Sequence, residues 1–416
     1  MALFLTDEEK RMLDGEKGYP VQKAMQILTA LGESFGAAKM LNVSSCHLPG
    51  ASFMLLGEAG LMFVEEMGAK GGCFAAFTTT NPTSCDPSQC EKLGIEAKYK
   101  AMQERVSGAY QRLGAITTGS CTPYFIGNAP RVGEHAAWGE SSAVVYANSV
   151  LGARTNREGG PSSLAAALTG KAPAYGMHLT ENRYGTLVVH VSRPLRGIAD
   201  YGTLGYYVGT IAKQDIPVFS GIPAHVTFDE LKSLGSALAT SGAVSLFHVV
   251  GVTPEAPTLE AALGGRRPEI TLEYTQKDEQ EVEEHLNLEH SDHVDWLYIG
   301  CPQCSILEVR DIARALAGKK IHPEVELWIC TSTPIKTLAE QMGYAKLIED
   351  AGALLVCETC PAHAPNKAMA KLKGYRTITT DSAKMAHYAA GEVGFPTHYG
   401  STEKVIQAAI RKKWEE

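Results

Sequence analysis

No apolar run in the 416-residue sequence reaches the length of about 18 residues that a membrane-spanning helix needs. Positive charge is not in excess either. Lys and Arg number 38 against 46 Asp and Glu, a net charge of -8, which argues against a nucleic-acid partner because phosphate binding needs a basic surface. The opening residues, MALFLTDEEKRML, carry acidic side chains where a secretory leader has its apolar core, so the expected location is the cytoplasm. No strand is followed by the Gly-x-Gly-x-x-Gly that opens a dinucleotide-binding helix, which sets a nucleotide-dependent dehydrogenase aside. What is present, 44% hydrophobic and 20% charged residues, suits a globular chain large enough for more than one core.

Ten cysteines stand out. In a cytosolic chain of this length thiols stay reduced, so metal or catalytic use of some of them is the better reading than a disulfide framework. The stretch VDWLYIGCPQCSILE (294–308) passes from an apolar run through a Gly-Cys-Pro turn into Ser305-x-x-Glu308, a capping box at a helix start. Cys301 is therefore expected in a strand-to-helix turn ahead of a positive dipole end, an environment that favours thiolate. Cys360 follows the apolar run 353–356 and precedes Pro361, and Cys121 lies in Gly-Ser-Cys-Thr-Pro-Tyr (119–124). Cys301-x-x-Cys304 together with Cys357-x-x-Cys360 also fits a four-thiolate zinc site in a non-catalytic, zinc-stabilised subunit. From spacing alone that site and inert core thiols stand level. Cys46, Cys73, Cys85, Cys90 and Cys330 lack a partner at ligand spacing and are read as small buried hydrophobes.

Along the chain, helices are predicted over 21–35 and 58–67, and Thr227 with Glu230 makes another helix cap. The middle alternates β-rich runs (186–191, 244–250) with helical ones, and the acidic run 276–289 reads as a solvated helix. Beyond it strands are predicted at 294–299, 325–330, 353–356 and 376–380, with helices between them. That is the βαβ rhythm of an open parallel sheet, whose ligands bind beyond the carboxyl ends of the strands. Turns 300–301, 330–331, 358–360 and 380–382 fall at such ends and together predict a site. Tentative divisions are 1–190, 191–290 and 291–416.

The long segment WGESSAVVYANSVLGARTNREGGP (138–161) resembles the core motif of the aconitase X family. Cys121-Thr-Pro-Tyr, Ile299-Gly-Cys-Pro, Glu358-Thr-Cys360 and Asp381-Ser-Ala-Lys-Met-Ala-His-Tyr388 resemble its other motifs, in order, across essentially the whole chain. The resemblance implies an aconitase-like α/β fold of several three-layer α/β/α subdomains, with open, mostly parallel sheets around a central cluster site. It implies an iron–sulfur hydro-lyase in which Cys121, Cys301 and Cys360 hold a [4Fe-4S] cluster; a [2Fe-2S] or mononuclear iron form is the variant. Three thiolates on a four-iron cube leave one iron open to act as a Lewis acid on a departing hydroxyl.

The same resemblance implies a separate small swivelling-domain subunit carrying the hydroxyl base, and hence a heterodimer. Family activities are dehydration of mevalonate 5-phosphate, which serves isoprenoid synthesis, and of cis-3-hydroxy-L-proline. The 154–161 run looks more like the former. Two departures, Gln303 in place of His and Thr-Ser-Cys-Asp at 83–86, bear on substrate choice rather than on the cluster.

Elimination of water needs fixed anionic handles as well as acid and base. Arg154 and Arg157 are candidates for the clamp, since guanidinium binds carboxylate or phosphate with two parallel hydrogen bonds. At least one of them is expected instead to pair with Glu158 or Glu140. Ser141, Ser142, Asn148, Thr155 and Asn156 are candidate hydrogen-bonding groups, although Asn148 could equally cap a helix. His47 and Asn81 are candidates from polar turns, with a core histidine and an Asn-Pro turn as the plain alternatives. Ser382 and Lys384 sit at the mouth of the last βα unit, as a cap and a point charge. His387 and Tyr388 are read as packing.

Overall fold

Three parallel sheets, one in each third of the chain, are what the apolar runs build. The computed structural model describes residues 3–415, apart from the side chains of residues 392 and 393. In the first sheet Ser45–Leu48 lies between Phe77–Thr80 and Ala136–Trp138. The second runs His248–Val249, Pro217–Ser220, Leu187–Val191, Ile270–Tyr274. In the third, spatial order is Leu354–Cys357, Glu326–Thr331, Trp296–Ile299, Ile378–Thr380, Thr397–Tyr399. An antiparallel pair, Met40–Asn42 with Lys171–Pro173, stands apart. The α/β class with several open parallel sheets is as expected. No helix among the described residues is long and apolar enough to cross a membrane.

The third sheet shows why its strands were readable. Trp296, Leu297, Tyr298 and Ile299 are all buried, because helices cover both faces. Leu297 and Ile299 join Val309, Ile312, Val405 and Ile406 on one side. Trp296 and Tyr298 join Trp328, Met369 and Met385 on the other. Chain order places the first strand in the centre, two successors on one side and two on the other. The winding therefore reverses between Trp296–Ile299 and Ile378–Thr380, and the crevice at such a reversal is where open α/β sheets bind ligands.

Some expectations shift by a few residues, each for a physical reason. The run predicted as a strand over 244–250 pairs only at His248–Val249. Its earlier backbone is bonded by side chains instead: Asn148 Nδ2 donates to Ser245 O, and Phe247 N donates to Ser149 Oγ. The last strand of the predicted set starts at Ile378 because Arg376 N and Thr377 N both donate to the Asp295 carboxylate. The helix expected over 58–67 runs Phe53–Ala69 but is broken at Gly57, whose φ of 63° is left-handed. The capping boxes at Thr227 and Ser305 form as read.

Arg183 ties the first part of the chain to the second. It is 2% exposed. Its guanidinium donates to Asn148 Oδ1 and O, to Ala153 O and to Met177 O, and it is ion-paired with Glu255. Removing one partner of a buried pair leaves the other charge and several acceptors unsatisfied. Arg183→Met is expected to lower the unfolding free energy by about 3–5 kcal/mol in urea denaturation; a loss under about 1 kcal/mol would contradict this role.

Candidate active site

Carboxyl ends of the first and third sheets meet on one cavity of about 210 Å³. From the first sheet come Asn81 and Pro82, after Phe77–Thr80, and Gly139, Glu140 and Ser141, after Ala136–Trp138. From the third come Gly300 to Gln303, Thr359 and Cys360, and Lys384, Met385 and Tyr388. Cys121, Arg157 and His363 complete the polar wall. A larger cavity of about 390 Å³ behind the third sheet is walled by Ile198, Ile299, Ile312 and Ile406 and has no thiol, so chemistry rather than size selects the site.

Each of the three cysteines is delivered by a differently built turn. Gly300 has a φ of 111°, and a Cβ there would run into Cys330 O, so only glycine lets the chain turn from strand to Cys301. Ser382 Oγ donates to Cys301 O across the reversal point. Cys121 follows Ser120, whose N–H donates to Thr80 O at 3.1 Å, which continues the first sheet's edge. Gln303 N–H donates to Cys121 Sγ at 3.2 Å. Before Cys360, Glu358 takes a left-handed backbone (φ 56°), which costs an ordinary residue about 1–3 kcal/mol. Thr83 N donates to Glu358 O at 2.7 Å and Cys360 N to Thr83 O at 3.3 Å, so a first-part loop holds that strained turn.

Burial dominates the electrostatics. It pushes Cys121 up to about 12, Glu140 adding to the effect while the Gln303 N–H and Lys384 oppose it. Cys301 and Cys360 are raised for the same first reason. The thiolate-favouring environment expected at Cys301 is therefore not found: the helix begins only at Ile306, and loss of water outweighs its dipole. Burial would also raise Glu140, but Lys384 Nζ at 2.7 Å, with Asn81 Nδ2 donating at 3.0 Å, holds its carboxyl well below the usual range. Burial takes His47 down to about 4.

Of the residues singled out from sequence, Asn81, Glu140, Ser141, Arg157, Lys384 and the three cysteines line the cavity. His47 stands behind Asn81, its ring between Thr79 Oγ1 (2.8 Å) and Asn81 Oδ1 (3.4 Å). Ser142 is bonded to Glu140 at the helix cap, and Ser382 both caps a helix and pins Cys301. Four others are turned away. Arg154 donates to His178 O and Thr180 Oγ1, and Asn148 is taken up by Arg183 and by both backbone groups of Thr155. Thr155 Oγ1 accepts from Trp138 N, and Asn156 bonds Tyr175 O and Met177 N.

The expected Arg pair with Glu158 or Glu140 does not form: Glu140 belongs to Lys384, and the carboxylate nearest Arg154 is Glu255 at 3.9 Å. Arg157 is exposed at the cavity and has no ion pair or side-chain hydrogen bond among the described residues. His363 and Tyr388, which sequence reasoning passed over or took as packing, also line the wall. The only signal was nearness to Cys360 and Lys384. The four-thiolate zinc arrangement is not assembled either. Cys304 turns into the apolar core with Ile299 and Val309, and among the described residues no three His, Cys, Asp or Glu close on a single ion.

Fold and site thus define a three-part α/β protein whose polar cavity is lined by three cysteines from separate turns. Family models described as Aconitase X first domain, second domain and third domain match residues 2–181, 185–284 and 294–411. The chain belongs to the aconitase X family. It is 44% identical over 405 residues to the phosphomevalonate dehydratase large subunit of Methanothermobacter thermautotrophicus, covering 97% of this chain and 98% of that one. It is 35% identical over 408 residues to the cis-3-hydroxy-L-proline dehydratase of Pseudomonas aeruginosa, with 97% and 69% covered. A crystal structure of Thermococcus kodakaraensis aconitase X (holo-form) matches with a TM-score of 0.88 and 38% identity, over 98% of this chain and 100% of that one.

The Glu140–Lys384 pair makes a pH prediction. A carboxyl held low contributes stability that is present above its unfolded value and lost as pH falls through the folded one. Lys384→Met reverses the sign, because burial alone then raises Glu140 and its penalty is full only where it is ionised. The variant is expected to lose about 3–5 kcal/mol of unfolding free energy at pH 7 and progressively less toward pH 4. A loss that does not change over that span would contradict the pairing.

Proposed function

We propose that this chain is the large subunit of an iron–sulfur-dependent hydro-lyase of the cytoplasm. Its hydroxy acid is mevalonate 5-phosphate, dehydrated to trans-anhydromevalonate 5-phosphate, and a small subunit completes the site. The observation that carries the reading is the convergence of Cys121, Cys301 and Cys360, from three separate turns, on one cavity. The donor set fits a cluster: soft thiols are the ligands of iron–sulfur groups, and all three line one cavity. Bound there with three protein ligands, a [4Fe-4S] cluster would supply an open iron as Lewis acid for the leaving hydroxyl.

The chain's own residues do the rest. Arg157, exposed at the cavity and unpaired, suits a phosphate or carboxylate by paired charge-assisted hydrogen bonds. Asn81, braced by His47 and Glu140, presents a fixed amide to the substrate. Lys384, neutralised by Glu140, orders the floor without adding net charge. None of these is tuned to accept the α-proton. Glu140 is held far too acidic, and burial keeps His47 and His363 below the ordinary imidazole value. The base is therefore assigned to the small subunit, in keeping with the "large subunit" in the name of the relative at 44% identity.

Cis-3-hydroxy-L-proline is the competing substrate, since proteins named for it match nearly the whole chain. It has no phosphate, and Arg157 would then take a carboxylate. The test is an anaerobic assay of the co-expressed two-subunit protein on both acids. Mevalonate 5-phosphate is expected to be dehydrated, and Arg157→Met to raise its KM by about 10- to 100-fold, the worth of a lost hydrogen bond to a charged group. Turnover of the proline alone, or an unchanged KM, would overturn the substrate assignment.

A further inference from the structure

The Cys301 turn is held by three side chains from three elements, one on each of three carbonyls. Ser382 Oγ donates to Cys301 O, and Thr331 Oγ1 donates to Cys304 O at 2.8 Å. Between them Lys232 Nζ donates to Gln303 O at 3.2 Å. Lys232 belongs to the helix Phe228–Ser241 of the second part, is 3% exposed, and lies outside the cavity. It is ion-paired with Glu308 and, at 3.4 Å, with Asp229, and its ammonium sits 5.7 Å from the centroid of the Phe125 ring.

Gln303 is the residue this ammonium grips, and it is 2% exposed. Its N–H donates to Cys121 Sγ at 3.2 Å and its Nε2 to Gly119 O at 3.0 Å. One residue of the Cys301 turn thus bonds the Cys121 turn at two points while its carbonyl is held by the second part. A buried ion pair is weak grounds for stability, because apolar residues of like volume serve as well. The directional ammonium gives what they would not, a fixed orientation of the Gln303–Cys304 peptide and so a hold on the Gln303 Cα, from which the N–H reaches Cys121.

We propose that Lys232 is a positioning residue for the thiol centre: acting through Gln303, it sets the Cys121 turn against the Cys301 turn. The proposal rests on the reading of those cysteines as cluster ligands. Lys232 lies outside the cavity and makes no hydrogen bond to Cys121, Cys301 or Cys360 among the described residues. Its effect passes from Nζ to the carbonyl of the Gln303–Cys304 peptide, across the Gln303 Cα to that residue's own N–H, and on to Cys121 Sγ. Groups of this kind behind a metal's ligands are worth about 10- to 100-fold in metal retention or activity, and hydrogen bonds to the sulfurs tune a cluster's potential.

The test uses Lys232→Met combined with Glu308→Gln, which removes the ammonium without stranding the Glu308 charge and keeps a side chain able to serve the capping box. In the metal-free chain, hydrogen exchange is expected to quicken about tenfold at residues 119–122 and 301–304 together, with the helix 228–241 unchanged. In the loaded two-subunit protein a chelator is expected to strip iron about 10- to 100-fold faster. There kcat falls while KM stays within about twofold, because the cavity wall is intact.

Exchange that quickens only at 301–304, or nowhere, overturns the tie, as does wild-type iron retention. Should the double variant fail to fold, Lys232→Arg gives the second arm. It keeps a cation beside Glu308 and Asp229 but replaces the compact ammonium that grips the Gln303 carbonyl, so it must quicken 119–122, and an unchanged rate there overturns the tie equally. A wild-type chain that holds no iron would sink the proposed function, while the metal-free exchange measurement still decides the tie.

Discussion

Glu140 leaves the carboxyl end of the first sheet, Lys384 opens the helix after Ile378–Thr380 of the third, and their 2.7 Å contact spans the cavity between them. Each is about 12% exposed, so neither charge is solvated well enough to stand alone. The pair is one of the ties that hold the first and third sheets together around the cavity. The backbone bridge from Thr83 to Thr359 does the same at the other side of the site. With both in place, three turns far apart in sequence face one another. Gln303, which bonds both Gly119 O and Cys121 Sγ, adds a third tie between the two parts.

That closure has an electrostatic cost. Packed walls take water from the thiols, and their pKa values rise until the neutral form prevails at physiological pH. Lys384 eases the rise for all three but does not cancel it. Iron bound there as proposed would replace the protons, so loading would release them and be favoured as pH rises. In the wall itself Glu140 and Lys384 offset each other, which leaves Arg157, among the described residues, as the unpaired cation facing the cavity.

The third part was legible in the sequence because its signals are local. Four short runs rich in apolar or β-branched residues, each ending in a polar turn, give the strands to within two residues; Ser305 and Ser382 cap the helices after two of them, and Cys301 and Cys360 follow strand ends. The resemblance then separated Cys360 from Cys357 and Cys304, which spacing alone had left level. The first part was harder, since its strands are three or four residues long and its site residues come from loops. There a contiguous motif misled. Arg154, Thr155, Asn156 and Arg157 are neighbours in sequence, yet only Arg157 reaches the cavity, while its three neighbours knit the loop to His178, Trp138 and Tyr175. The Glu140–Lys384 pair, 244 residues apart, leaves no local trace at all.

The central claim is that Cys121, Cys301 and Cys360 jointly hold an iron–sulfur cluster. Iron and acid-labile sulfide analysis with an absorbance spectrum, on chain purified without oxygen, tests it most directly. Wild type should be brown, with iron and sulfide in comparable amounts, and Cys121→Ser should lose both while remaining folded. Zinc without sulfide, unchanged in Cys121→Ser, would contradict the claim and return the cysteines to a structural role.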